Sequence, residues 1–400
     1  MFRRKSGWIL VISAGAVITF YGFYLSSNSF SDFAGYYTSA KILSDADSTA
    51  VLYDDEWFIS KMHSFGIPDS TFIMYVNPPP SAFIMIPVAW LQPLPAKIVW
   101  NSFNLIFLII AFYLLLKFNN FSLASLKIQA MAALFFCTVP FLRNLQRGQI
   151  YILLLLFIIV FFQGYLRGNA LLSSLSMAIL FLLKYFGWMF FILFIIEKRW
   201  KELGLSLLFI SIGFLFTLII AGIETYEANF NVIIDAFNRK DFSLTGLPCV
   251  PAIFGALFTF HPQWNNNPVL NISWFSSLFT AVSLLIMFIF SFIKTRRNKP
   301  ERLNSILILS VIFTPLAADH HYMLLTLPAA YLMQRDFFDL KNLKILLMFA
   351  VLYLLLGWYP ELKMNSLAGW AKLLAFPRLY AAVFMWLLLL FPSSLVRATK

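Results

Sequence analysis

The chain has 400 residues, 60% of them hydrophobic, and a mean hydropathy of +0.79. That composition excludes an ordinary soluble domain, in which apolar residues make up nearer half. The formal charge of +12 is not the footprint of a nucleic-acid binder, because the Lys and Arg residues cluster at the ends of apolar runs rather than in one patch.

The basic start MFRRK is followed by an apolar run from Gly7 to Ser27, about 20 residues long and so long enough to span a bilayer. A signal peptide has a shorter apolar core and a small-residue cleavage site, so this run is expected to be a retained first span with its N-terminus in the cytoplasm. Eleven further candidate spans follow at roughly 79–92, 96–117, 123–142, 149–165, 170–196, 203–222, 270–293, 303–318, 322–334, 343–359 and 377–392. The chain is thus expected to be a single all-α polytopic membrane domain over residues 1–400, with about 12 spans. Several are too short for a straight crossing and must tilt, sit buried among the others or re-enter.

Basic clusters set the orientation. MFRRK, EKRWK (197–201), KTRRNKPER (294–302), residues 335–344 and the final VRATK are expected on the cytoplasmic side. The gap 28–78, the loop 224–270, the turn 319–321 and the segment 360–378 then lie outside. Region 117–202 allows two counts. The simpler one puts Arg143 and Arg147 inside and Lys184 within a span; the other breaks 170–196 near Lys184, makes one earlier segment re-entrant and puts all three outside. Residues 36–61 alternate apolar and polar groups at helical spacing, which predicts short amphipathic helices on the membrane surface. Residues 246–262, apolar but interrupted by prolines and glycines, predict a re-entrant or interfacial element.

Seven of the 18 acidic residues fall in the first external gap: Asp32, Asp45, Asp47, Asp54, Asp55, Glu56 and Asp69. Asp32 lies only a few residues beyond the first span, where it could accept a proton from a hydroxyl nucleophile or simply cap the following helix together with Ser31. Asp45–Ala46–Asp47 has the spacing of a metal-sharing carboxylate pair, but an acidic solvated turn explains it better. There is no CxxC or HExxH spacing, so no metal ligand set is assigned, and Cys137 and Cys249 cannot form a disulfide framework. Tyr75 and Asn77 precede Pro78–Pro80, which fix the start of the second span. Arg143–Gln149 is a polar island in which Arg147 suits phosphate and Gly148 permits close approach. Lys184 interrupts a long apolar run, where a lysine must snorkel, line a cavity or mark a broken helix. His320 and His321 share one external turn; on a helix they point apart, so one of them is expected to face a site.

The ordered set of these features resembles glycosyltransferase family 87, the polyprenyl-phosphate-mannose-dependent α-mannosyltransferases of the GT-C superfamily. The resemblance is carried by Asp32 and Tyr36, Tyr53, the Tyr75–Pro79 segment, Arg147–Gly148–Gln149, Lys184, Ser243–Gly246 and the Pro315…His320–His321 turn. It implies a GT-C-type helical bundle with amphipathic helices in the first external loop. It also implies a polyprenyl-phosphate-linked sugar donor, a glycolipid or glycan acceptor, and inverting transfer outside the cytoplasm of a bacterial cell membrane. Asp32 maps onto the family's catalytic aspartate, and Tyr36, Tyr75, Asn77, Arg147, Gln149, Lys184, His320 and His321 are the expected substrate-binding residues. No cofactor is implied. Val76–Asn77 stands where the family has a plainer Tyr-Pro-Pro, and Ile150 where it often has Asn, which bears on the sugar and the acceptor. The rival from another class is a polytopic transporter or flippase, but such proteins place charge near the midplane and show repeated halves, whereas no repeat is evident here.

Overall fold

The computed structural model describes residues 2–26, 30–45, 51–68, 75–118, 125–239, 247–262, 265–334, 342–358 and 367–391. Among the described residues the regular structure is helical, apart from one isolated antiparallel bridge between His261 and Asn265. Five stretches of the described residues are long and apolar enough to cross a membrane: Gly7–Tyr24, Pro93–Lys117, Leu126–Arg147, Trp200–Ala221 and Ser273–Lys294. A sixth arises if Gly369–Ala375 and Pro377–Leu390, bent by 67°, form one crossing. On the last of the five, Leu278, Val282, Leu285, Ile286, Ile289 and Ile293 are all exposed. A helix that presents apolar residues outward in this way is stable only against lipid.

The chain forms two compact units. The Asp32 unit comprises Ile12–Phe121 and Phe141–Asn238; the His320 unit comprises Met1–Val11, Ser122–Pro140 and Arg239–Lys400. Helix α1 (Phe2–Ser26) contributes its first residues to the second and the rest to the first.

In the Asp32 unit, α2 (Ser31–Ser44) and α3 (Asp55–Ser64) form the described part of the first loop. They are helical, as the spacing predicts, but α2 is not a surface helix: Phe33 to Ala40 are all buried, against the 3-10 helix Pro79–Val88 and α4 (Pro93–Phe118). Helix α5 (Leu126–Phe136) lies in the other unit, and α6 (Val139–Arg147) brings the chain back. Helices α7 (Tyr151–Arg167) and α8 (Ala170–Lys184) make a tight hairpin. Gly168 turns it at φ 71°, and Asn169 accepts from the Leu172 amide at 3.0 Å. A Cβ on Gly164 would lie 2.7 Å from the Ser173 nitrogen, so the close pairing of α7 and α8 needs a residue without a side chain there.

The run 170–196 is not one span. Tyr185 (φ 50°) and Gly187 (φ 85°) are left-handed and stop α8 at Lys184, and α9 (Trp188–Ile196) folds back. Phe181 meets Phe191 edge-on at 5.7 Å, and Phe161 of α7 packs on Phe190 at 4.9 Å. Helix α9 delivers Arg199 to the far end of α7, with its guanidinium 3.7 Å over the Tyr165 ring and paired with Glu197 and Glu202. Helix α10 (Trp200–Ala221) then runs beside α8, with Ser174 bonded to the Glu202 carbonyl and Leu182 against Gly213, and leads to α11 (Ile223–Arg239).

The His320 unit is built on α14 (Lys299–Ile312), buried from Glu301 onward among α13 (Ser273–Lys294), α15 (Thr326–Gln334) and α17 (Pro377–Leu390). Polar residues lock this apolar interior: Ser291 bonds Ser305 at 2.6 Å and accepts from the Trp386 indole at 2.9 Å. Arg302 donates to the carbonyls of Thr295 and Arg296 and closes the turn after α13. Helix α12 (Val250–Phe258) lies within 246–262 and packs on α13, and α16 (Leu343–Gly357) packs on α17.

Candidate active site

The site begins with backbone strain. Ser31 has φ 35°, a left-handed conformation that a non-glycine residue adopts only when its surroundings impose it. It sets Asp32 in the first turn of α2, but not as a cap: the cap position is Phe30, and no side chain caps the helix. The Asp32 carboxylate instead accepts from Arg147 at 3.4 Å.

Arg147 ends α6, and Gly148 turns the chain at φ 61°. A Cβ on Gly148 would fall 2.6 Å from the Cβ of Phe33, so the turn is pressed against α2. Gly148→Ala is therefore expected to destabilise the fold by about 1–3 kcal/mol through backbone strain alone, with the clash adding to it. The check is a lowered thermal midpoint of the purified protein; an unchanged midpoint would contradict the geometry.

Gln149 is buried and accepts from the Tyr36 hydroxyl at 3.2 Å. Burial pushes the Tyr36 phenol well above its ordinary range, and Tyr151 and the Asp32 carboxylate push the same way, so Tyr36 is a neutral hydrogen-bond donor rather than a base. Lys184, at the end of α8, donates to Asn77 Oδ1 at 2.6 Å and lies over the rings of Tyr36 (5.3 Å) and Tyr151 (5.7 Å). The Asn77 carbonyl accepts from Tyr53 at 2.7 Å and Asn229 at 3.3 Å, and Tyr185 bonds Asn229 at 2.8 Å.

Six of the expected residues thus share one end of the Asp32 unit: Asp32, Tyr36, Asn77, Arg147, Gln149 and Lys184. Tyr75 sits behind them in the core, bonded to Ser81 at 3.1 Å and packed on Phe58 and Tyr53. His320 and His321 belong to the other unit. Their rings lie 4.6 Å apart rather than pointing away from each other, because His321 Nδ1 turns back to accept from the Ala318 amide. Beside them Asp319 is paired with Arg378, both buried, and Tyr322 donates to the Pro248 carbonyl at 2.6 Å. Asp45 pairs with Lys41 at 3.8 Å and is well exposed, while Asp47, Asp69 and the Ser243–Gly246 motif lie outside the described residues. Among the described residues no three His, Cys, Asp or Glu side chains gather where they could hold a metal. Tyr151, Asn229 and Lys97 also reach this end of the unit; only Lys97, a lysine in an apolar run, carried a signal in the sequence.

These contacts gather the polar groups of 117–202 at one end of the unit. Arg147 pairs with Asp32 and Lys184 bonds Asn77, so both stand at the same end of the unit as the first loop. Helix α7 leads away from that end and α8 returns to it. The far end carries Lys117, Arg167, Lys198, Arg199 and Lys201, with Gln163 bonded to the Leu114 carbonyl.

An all-helical membrane protein that gathers a carboxylate, two cations and neutral phenols at one end of a helical unit has the groups for moving a polar or anionic substrate group at a membrane face. The model of glycosyltransferase family 87 matches residues 75–318, more than half of the chain, and the protein belongs to that family. It is a glycosyltransferase. The matched stretch includes Tyr75, Asn77, Arg147, Gln149 and Lys184; Asp32 and Tyr36 precede it, and His320 and His321 follow it. No curated protein and no solved structure matches the chain.

Proposed function

We propose that the protein transfers one sugar, mannose or a relative of it, from a polyprenyl-phosphate donor to a hydroxyl of a glycolipid or glycan. The transfer inverts the anomeric centre on the extracytoplasmic face of a bacterial cell membrane. The observation that carries this is the single cluster of Asp32, Arg147 and Lys184. Asp32 takes the proton of the acceptor hydroxyl as its oxygen bonds to C1 of the sugar. The bond from C1 to the phosphate oxygen breaks, and the polyprenyl phosphate leaves with its electron pair. Arg147 and Lys184 stabilise the charge growing on that phosphate. Tyr36, Gln149 and Asn77 orient the sugar and the cations, and the prenyl tail lies among the apolar helices.

Basic residues at the far end of the Asp32 unit favour the extracytoplasmic orientation, because loops rich in Lys and Arg stay in the cytoplasm. The chain then forms a GT-C-type bundle of about 12 membrane segments, short and broken ones included.

The test is transfer in membranes containing the protein, with labelled polyprenyl-phosphate mannose, glucose or arabinose set against the matching nucleotide sugars. Label moving to a lipid or polymer from a polyprenyl-phosphate sugar is the expected result. Transfer from nucleotide sugars alone overturns the donor class.

A further inference from the structure

Helix α4 has a stripe of polar residues on the inside. Ile98, Phe103, Ile106, Ile109 and Ile110 are exposed, whereas Lys97, Asn101 and Asn104 are fully buried and Trp100 nearly so. Positions 97, 100, 101 and 104 form one helical stripe. Four polar side chains on the inner face of a membrane helix are costly unless each finds a partner. Here every one of them donates to a backbone carbonyl of the same short segment. Lys97 Nζ reaches Gln146 O at 2.6 Å, Trp100 Nε1 reaches Gly148 O at 3.0 Å, Asn101 Nδ2 reaches Leu145 O at 2.9 Å and Asn104 Nδ2 reaches Gln149 O at 3.4 Å.

That segment is the C-terminal end of α6 and the turn after it. A helix C-terminus carries unsatisfied carbonyls and the negative end of the helix dipole, a poor neighbour for an incoming phosphate. The α4 stripe occupies those carbonyls from behind, while α2 closes on Gly148 from the other side. Arg147 remains at the border, with 43% of its side chain exposed.

We propose that Lys97, Trp100, Asn101 and Asn104 are positioning residues of the transfer site. They grip residues 145–149 by their carbonyl oxygens and hold Arg147 beside Asp32, open to the donor's phosphate. This rests on the role given above to Arg147. The stripe itself touches no substrate and acts through the segment it holds.

The experiment compares the wild type with Lys97→Met, Asn101→Leu, Lys97→Gln and the control Ser102→Ala, which alters an exposed hydroxyl of the same helix. Hydrogen exchange is followed on the purified full chain. Losing one buried hydrogen bond to the segment is expected to speed exchange of the amides in 143–150 about tenfold in Lys97→Met and Asn101→Leu. Exchange in α7 and α8 stays at the wild-type rate. Lys97→Gln, which keeps a donor, retains most of the protection, and Ser102→Ala retains all of it. With labelled polyprenyl-phosphate mannose, Lys97→Met is expected to raise the donor KM about tenfold and leave the acceptor KM unchanged. Unchanged exchange in 143–150 overturns the proposal. So does faster exchange throughout the unit with a lowered melting temperature, which would reduce the stripe to ordinary packing. If the wild type turns over no polyprenyl-phosphate sugar, the donor class fails, and the exchange data still decide whether α4 holds the segment.

Discussion

Asp32→Asn is expected to lower sugar transfer about a hundredfold or more while leaving the fold intact. Asparagine keeps the shape of the side chain and removes the proton acceptor. Its cost to stability is small because the ion pair that is lost is weak: the Arg147 nitrogen is 3.4 Å from the carboxylate, and both side chains keep contact with solvent. Such pairs are worth about 0–1 kcal/mol. Loss of activity at wild-type melting temperature and expression therefore reads on chemistry. Asp32→Glu, which moves the base by one methylene, is expected to recover part of the rate. A fully active Asp32→Asn enzyme would remove Asp32 from the role of base and leave the glycosyltransferase class standing.

The helical class and the individual members of the cluster were legible in the sequence because both follow from cost, but their gathering at one end was not, since region 117–202 allowed two counts. Long apolar runs have to meet lipid or the protein interior, and Asp32, Arg147 and Lys184 stand out because an ionisable group near the bilayer is expensive. What hydropathy could not supply was the break in 170–196. A run of apolar residues has the same mean hydropathy whether it is straight or doubled back, and the reversal rests on the left-handed conformations of Tyr185 and Gly187. Only one of the two is a glycine, so half of the signal is invisible to composition. Tyr75, expected among the substrate-binding residues, has its ring in an aromatic core with Phe58 and Tyr53. Aromatic residues serve both purposes, and spacing does not separate them. Asn229 sits in an amphipathic helix among other polar residues; only the tertiary fold, which carries it to Asn77 across 152 residues of sequence, distinguishes it.

The second large effect is expected at Lys184. Lys184→Met keeps the length of the side chain and removes the charge, and the transfer rate should fall about a hundredfold or more, as when one group that stabilises a developing anion is lost. Two explanations of such a loss must be separated, because Lys184 also holds Asn77 at 2.6 Å and so fixes the segment leading into Pro78–Pro80. Asn77→Ala removes that bond and leaves the ammonium in place over the Tyr36 and Tyr151 rings. If Lys184 works through its charge, Asn77→Ala costs clearly less than Lys184→Met, since the ammonium stays over the two rings and the Asn77 carbonyl keeps its bonds to Tyr53 and Asn229. Lys184→Arg then recovers activity in part, limited by the space within the aromatic rings. If instead the lysine only anchors Asn77, the two losses are equal and Lys184→Arg gains nothing. Measuring kcat and donor KM for the three variants side by side decides between a cation that meets the phosphate and a cation that merely holds the loop.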